Sequence, residues 1–153
     1  MVTWKEFCEA SPDLAQKGEE QLFQYGVGLA FLATVREDGG PRMHPVCPVL
    51  SGGRLYALIL PNSPKRIDLE REGRYALQAF PQARPDSDEF YLTGRAQRVR
   101  DSELFARVFG DAKHYASPDE ILFELQIERA MHTQWEGFGT ADYHSIHTKW
   151  NAD

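Results

Sequence analysis

Three apolar, β-rich runs follow one another early in the chain, at residues 29–35, 43–50 and 55–60. Glu37-Asp38-Gly39-Gly40 separates the first pair and Ser51-Gly52-Gly53 the second. Short polar, glycine-containing breaks between such runs predict hairpins, so the segment reads as a three-stranded antiparallel meander. The first run is apolar at Leu29, Ala30, Phe31, Leu32 and Ala33, and the third without interruption from Leu55 to Leu60. Both are expected to be buried on both faces. The second run contains Pro45 and Pro48, which lack a backbone donor, and is expected at a sheet edge. Strict alternation there points Arg42, His44 and Val46 one way and Met43, Pro45 and Cys47 the other.

The remaining pattern adds helices and three further strands. Ser11-Pro12-Asp13 predicts a helix start, with the helix running to about Phe23 and Leu14, Leu22 and Phe23 on its apolar face. Such a helix is expected to close one end of a barrel. A short helix over 66–71, with Ile67 and Leu69 partly buried, stops at Glu72-Gly73. A fourth strand covers 75–80, with Gln78 its polar exception, and a Pro- and Asp-rich loop covers 81–87. Residues 89–99 alternate as a half-exposed strand, with Phe90, Leu92, Gly94 and Ala96 on one side and Tyr91, Thr93, Arg95 and Gln97 on the other. A helix over 101–109 presents Leu104, Phe105 and Val108 and is closed by Gly110. The sixth strand, 121–127, turns Ile121, Phe123, Leu125 and Ile127 inward and Glu124, Gln126 and Glu128 outward, and is open to continuation towards Trp135. The tail at 138–150 is aromatic and basic. Six short strands, Gly-rich hairpins and no βαβ period predict a mainly β, six-stranded antiparallel barrel with peripheral helices, formed as one domain over residues 1–153.

Charge and composition narrow the function. The net charge of −6, from 17 Lys plus Arg against 23 Asp plus Glu, opposes a broad nucleic-acid surface. Two cysteines, Cys8 and Cys47, make neither a disulfide framework nor a cysteine-based zinc site. No stretch resembles a signal peptide or a membrane span, so the cytoplasm is the expected compartment. His144 and His147 would face one way only on a helix and have no accompanying carboxylate motif, so no metal site is expected. One local cluster stands out: Pro61-Asn62-Ser63-Pro64-Lys65-Arg66 gathers two cations and a hydroxyl where a helix begins, a setting that suits phosphate or another anion. The same cations have a plainer use in pairing with Asp68, Glu70 or Glu72. His44 and Gln78 likewise have a plain use in satisfying interior polar groups.

Taken together, Leu32-Ala33-Thr34-Val35, Asp38-Gly39-Gly40-Pro41-Arg42-Met43-His44-Pro45-Val46, Gly53-Arg54-Leu55-Tyr56 and Ser63-Pro64-Lys65-Arg66-Ile67-Asp68-Leu69 resemble the pyridoxamine 5′-phosphate oxidase-like family of FMN-binding split barrels. The resemblance is best over residues 28–80. It implies a split barrel with the FMN phosphate on Ser63, Lys65 and Arg66. It also implies that Arg42, Met43, His44 and Pro45 run along the isoalloxazine and ribityl chain, that Ile59 and Leu60 end the strand beside the cofactor, and that Gln78 reaches the flavin. Family members are usually homodimers with cofactor sites between subunits, which would bring Trp150 and Lys149 to the partner's site. The implied activity is an FMN-dependent oxidoreductase acting on a small-molecule substrate with a separate electron donor, without nucleic-acid or membrane partners. No side chain is assigned to acid–base chemistry, because the cofactor carries the electron chemistry. The end of the chain lacks the Arg- and Leu-containing segment of a true pyridoxamine phosphate oxidase, so the substrate is unassigned. A deazaflavin coenzyme in the same turn, and a non-catalytic flavin- or haem-binding module, are the alternatives.

Overall fold

The computed structural model describes residues 1–84 and 86–153; Pro85, in the predicted 81–87 loop, lies outside the described residues. Two helices lead the chain, α1 (Trp4–Ala10) and α2 (Pro12–Leu22). Thr3 and Glu6 cap α1 reciprocally, the Thr3 hydroxyl accepting from the Glu6 amide and the Glu6 carboxylate accepting from the Thr3 amide. Pro12 opens α2, where its missing donor would be unpaired anyway. Then follow β1 (Ala30–Val35), β2 (Pro41–Val46), β3 (Pro48–Ser51), β4 (Arg54–Ile59), α3 (Pro64–Arg71), β5 (Arg74–Ala79), β6 (Glu89–Arg98), α4 (Ser102–Asp111), β7 (Ile121–Glu136) and β8 (His144–Asn151).

The sheet is antiparallel in the order β2-β1-β5-β6-β7-β4-β3, with β8 pairing β7. Among the described residues it has eight strands where six were predicted. The run 43–50 splits at Cys47: Pro41–Val46 pairs with β1 at one edge and Pro48–Ser51 with β4 at the opposite edge. A single residue therefore joins the two ends of the sheet, so the sheet must curl until its edges meet. Prolines at 45 and 48, unable to supply a regular ladder, sit on either side of this crossing. The eighth strand comes from the tail, which the pattern had left unassigned. The fold is mainly β, a curled antiparallel split barrel.

Register sorts the side chains into an inner and an outer face. His44, Leu32, Leu77, Leu92, Ala130 and Trp150 are successive cross-strand neighbours facing the interior. Leu14, Ala15 and Leu22 of α2 join this core with Trp4 and Phe7 of α1, so the N-terminal helices do close the barrel. Gly18 lets α2 lie directly on Phe90: a Cβ there would stand 2.3 Å from the ring. Gly94 has a similar purpose on β6, where a Cβ would meet the Gln126 carbonyl at 1.8 Å, beside the register shift at Thr93/Gly94.

Two expectations from alternation change. The first run is not equally buried on both sides: Ala30, Leu32 and Thr34 are buried, whereas Phe31, Ala33 and Val35 are only half-buried. Glu124, expected outside, is 8% exposed and ion-paired with Arg54 at 2.6 Å. The cause is a second core. The predicted face of α4 packs Val108, Leu104 and Phe105 with Val49, Tyr56, Leu58 and Leu122, covering the face that period-two reasoning assigned to solvent.

Candidate cofactor site

The outer face is where β1, β5, β6 and β7 remain incompletely covered. Pro45, Phe31, Gln78, Tyr91, Met131 and Lys149 succeed one another across five strand pairings. Phe31 stacks on Phe80 with ring centroids 4.3 Å apart and planes at 16°. A cavity of about 370 Å³ opens on this face, lined among others by Phe31, Ala33, Met43, Gln78 and Tyr91. Met43 is 66% exposed there, an unusual position for a large apolar side chain on a sheet.

The second element is the turn after β4. Ile59 is buried at the end of that strand, Leu60 is exposed, and Ser63 occupies the N-cap of α3 with extended backbone and no side-chain cap bond. Pro64 follows at the first helical position, and the Ser63 hydroxyl has no hydrogen-bond partner among the described residues, so it can donate to another acceptor. The ion pairs of this turn and helix belong to arginines. Arg66 donates from Nη1 to Glu70 at 2.7 Å and from Nε to the Pro61 carbonyl at 2.9 Å, and Arg42 and Arg71 pair with Asp68. Lys65 is left half-buried without a carboxylate partner among the described residues. Burial pushes its ammonium below the ordinary lysine range, with the more distant Glu120 charge opposing the shift. The same Glu120 acts on Cys47 at the crossing, whose thiol is pushed up chiefly by burial.

Asp68 organises the third element. Only 4% exposed, it accepts from the Thr34 hydroxyl at 2.8 Å and from Arg42 Nε at 2.7 Å, with Arg71 Nη1 3.5 Å from its other oxygen. Burial raises its carboxyl, but the hydrogen bonds from Arg42 and Thr34 and the charges of Arg42 and Arg71 outweigh this and hold it below an ordinary aspartate. A folded-state value below the unfolded 3.8 means that its stabilisation is complete above that pH and is lost as pH falls through the lower folded value. Urea midpoints should therefore drop between pH 5 and pH 3, on the order of these carboxylate values, and Asp68→Asn should flatten that drop while lowering the midpoint at pH 5.

The residues expected around the flavin thus fall into separate groups. Met43, Pro45 and Gln78 share the outer face; Ser63, Lys65 and Arg66 share the turn; Arg42 and His44 point inward from β2, Arg42 locked on Asp68. Trp150 lies on the inner face against Phe7 of its own chain, at a centroid distance of 4.9 Å, and Lys149 is the tail residue on the outer face. His144 and His147 lie on β8, where their spacing places them on opposite faces. Phe31 and Tyr91 of the outer face and the Thr34–Asp68 contact were not singled out by the sequence. The available signal was Thr34, a lone hydroxyl in an apolar strand.

A barrel with this strand order and with a Ser-Pro-Lys turn opening the helix after β4 can be compared with known proteins. The pyridoxamine 5′-phosphate oxidase family model matches residues 19–134. The chain belongs to that family. No curated protein matches the sequence. Solved structures share the fold at low identity. A haem binding protein from Mycobacterium smegmatis superimposes with a TM-score of 0.61 at 20% identity, over 85% of this chain and 56% of that one, so the chain spans little more than half its length. The haem storage protein HutZ from Vibrio cholerae gives 0.58 at 20% identity, over 77% of this chain and 89% of that one. A NimC/NimA family protein from Clostridium acetobutylicum gives 0.58 at 14% identity, over 87% and 92%. Among the described residues no helix is long and apolar enough to cross a membrane.

The donor set fits a phosphorylated flavin. Among the described residues the Ser63 hydroxyl has no hydrogen-bond partner and the Lys65 ammonium no carboxylate partner, and both stand at the start of α3, where Pro64 has no amide and the Arg66 amide donates to the Ser63 carbonyl at 3.0 Å. The outer face offers apolar surface and the Gln78 amide for a planar ring. Arg66 and Arg42 each already have a carboxylate partner, Glu70 and Asp68 respectively.

Proposed function

We propose that this family member binds FMN, with Lys65 and Ser63 on its phosphate and the outer sheet face, through Met43, Pro45 and Gln78, along the ring. The observation that carries the reading is Lys65: a half-buried cation without a salt bridge among the described residues, in a helix-opening turn, is a site built for an anion that arrives from outside. Bound there, FMN would supply electron transfer to and from a small-molecule substrate. The residues of the chain would hold the phosphate, shield one face of the ring and donate from the Gln78 amide. The proposed activity is therefore an FMN-dependent oxidoreductase in the cytoplasm with an unassigned substrate. Reduction of the FMN-loaded protein by NADH or NADPH, followed by reoxidation on an added acceptor, tests it. A flavin that is never reduced would instead favour a holder of flavin or haem, the reading supported by the two haem-protein neighbours.

A homodimer is part of this proposal. The outer face carries the partly exposed apolar side chains of Phe31 and Met43 on one side of Gln78 and of Tyr91 and Met131 on the other, and a second copy would cover them. Met43→Glu places a charge on that surface without disturbing the core. Sedimentation at micromolar concentration should show a dimer for the natural chain and a folded monomer for the variant. Identical sedimentation of both would remove Met43 from the interface.

A further inference from the structure

Helix α3 carries the phosphate-binding turn at its first residues, yet it has almost no apolar stripe to hold it. Its only buried hydrophobic side chain is Leu69, and Ile67 is 52% exposed. The usual anchor of a surface helix, an apolar face against the core, is missing. What holds it is polar. The buried Asp68 carboxylate receives the Thr34 hydroxyl from β1 at 2.8 Å and the Arg42 guanidinium from β2 at 2.7 Å. Arg71, one turn on, donates to the Val35 carbonyl and approaches the other Asp68 oxygen at 3.5 Å. Two strands and the helix therefore meet at one carboxylate, and it lies three residues after Lys65.

We infer that Asp68 is a positioning residue for the cofactor: by fixing α3 to β1 and β2 it sets where Ser63 and Lys65 stand, and hence how well the turn recognises a phosphate. This inference rests on the FMN reading above. Asp68 acts through the position of α3: Thr34 of β1 and Arg42 of β2 both donate to its Oδ2, and Arg71 stands 3.5 Å from its Oδ1. It also occupies Arg42, so the turn must recognise phosphate largely through Lys65. A burial-depressed lysine beside a displaced helix would lose its directed contact while keeping its charge, so the loss should fall on FMN and spare riboflavin, which has no phosphate.

The test titrates the whole chain, freed of flavin, with FMN and with riboflavin, following flavin fluorescence and measuring Tm in parallel. Thr34→Val removes one of the bonds to Asp68 at nearly constant shape; it should lower the ratio of FMN to riboflavin affinity about fivefold or more, and Asp68→Asn should lower it further. Thr34→Ser keeps the hydroxyl and should restore the ratio. Val108→Ala, in the second core under α4, lowers stability without touching α3 and should leave the ratio unchanged. If Thr34→Val and Asp68→Asn lower Tm but leave the ratio where it was, Asp68 is structural only and the inference is overturned. If the natural chain binds FMN no better than riboflavin, the phosphate reading itself fails and takes the inference with it.

Discussion

Replacing Lys65 by alanine is expected to weaken FMN binding by about tenfold to a hundredfold, the loss of one charge-assisted bond of about 1.5–3 kcal/mol, while riboflavin binding changes little. The asymmetry follows from geometry. Lys65 has no carboxylate partner among the described residues, whereas Arg66 is held by Glu70 and the Pro61 carbonyl and Arg42 by Asp68. Arg66→Ala should therefore reduce FMN affinity far less than Lys65→Ala, even though the two residues are adjacent and equally charged. The pH dependence has a definite sign. Because burial already pushes Lys65 below an ordinary lysine, FMN affinity should begin to fall at a pH below the usual lysine range of about 10.5, and Lys65→Arg should remove that fall. Equal losses for Lys65→Ala and Arg66→Ala would show that diffuse positive charge, and not one directed ammonium, holds the phosphate.

Phe90→Ala is expected to be the most damaging single truncation for the fold. Phe90 is 0% exposed on β6, and its ring fills the space against Gly18 of α2. Removing it leaves a cavity at the joint between sheet and helix, for which about 3–5 kcal/mol is the ordinary penalty. At about 2–4 °C per kcal/mol for a chain of this size, the melting temperature should drop by roughly ten degrees. The helix cannot easily settle into the gap, because Leu14 and Leu22 are already seated in the core on either side. Thermal unfolding followed by circular dichroism checks this. A loss below about 1 kcal/mol would mean that α2 is not packed on the sheet as described.

Much of this architecture was legible in the pattern of the chain. The strand runs, the glycine hairpins, the opening proline of α2 and the apolar face of α4 depend on local chemistry, and they appear where the residues place them. What escaped depends on tertiary context. Cys47 looks like one more residue of a strand until the two edges of the sheet are seen to meet on either side of it. Glu124 alternates as a surface residue and is covered only because α4 returns to that face. The site shows the same division. The Ser63–Lys65 turn announces itself by composition, but no local rule says that Asp68 will claim Arg42, that Glu70 will claim Arg66, or that Trp150 will face Phe7. Those pairings are set by which strands and helices become neighbours. They move the proposed phosphate contact from two adjacent cations, Lys65 and Arg66, to one lysine, supported by a buried aspartate.

The central claim is phosphate-dependent flavin binding, and the most direct measurement is the visible spectrum of the chain after reconstitution with FMN or with riboflavin and removal of free flavin. The account predicts that FMN remains bound through desalting, with its absorption bands perturbed by the outer-face aromatic and apolar side chains, and that riboflavin is lost. Retention of both flavins alike, or of neither, would contradict it.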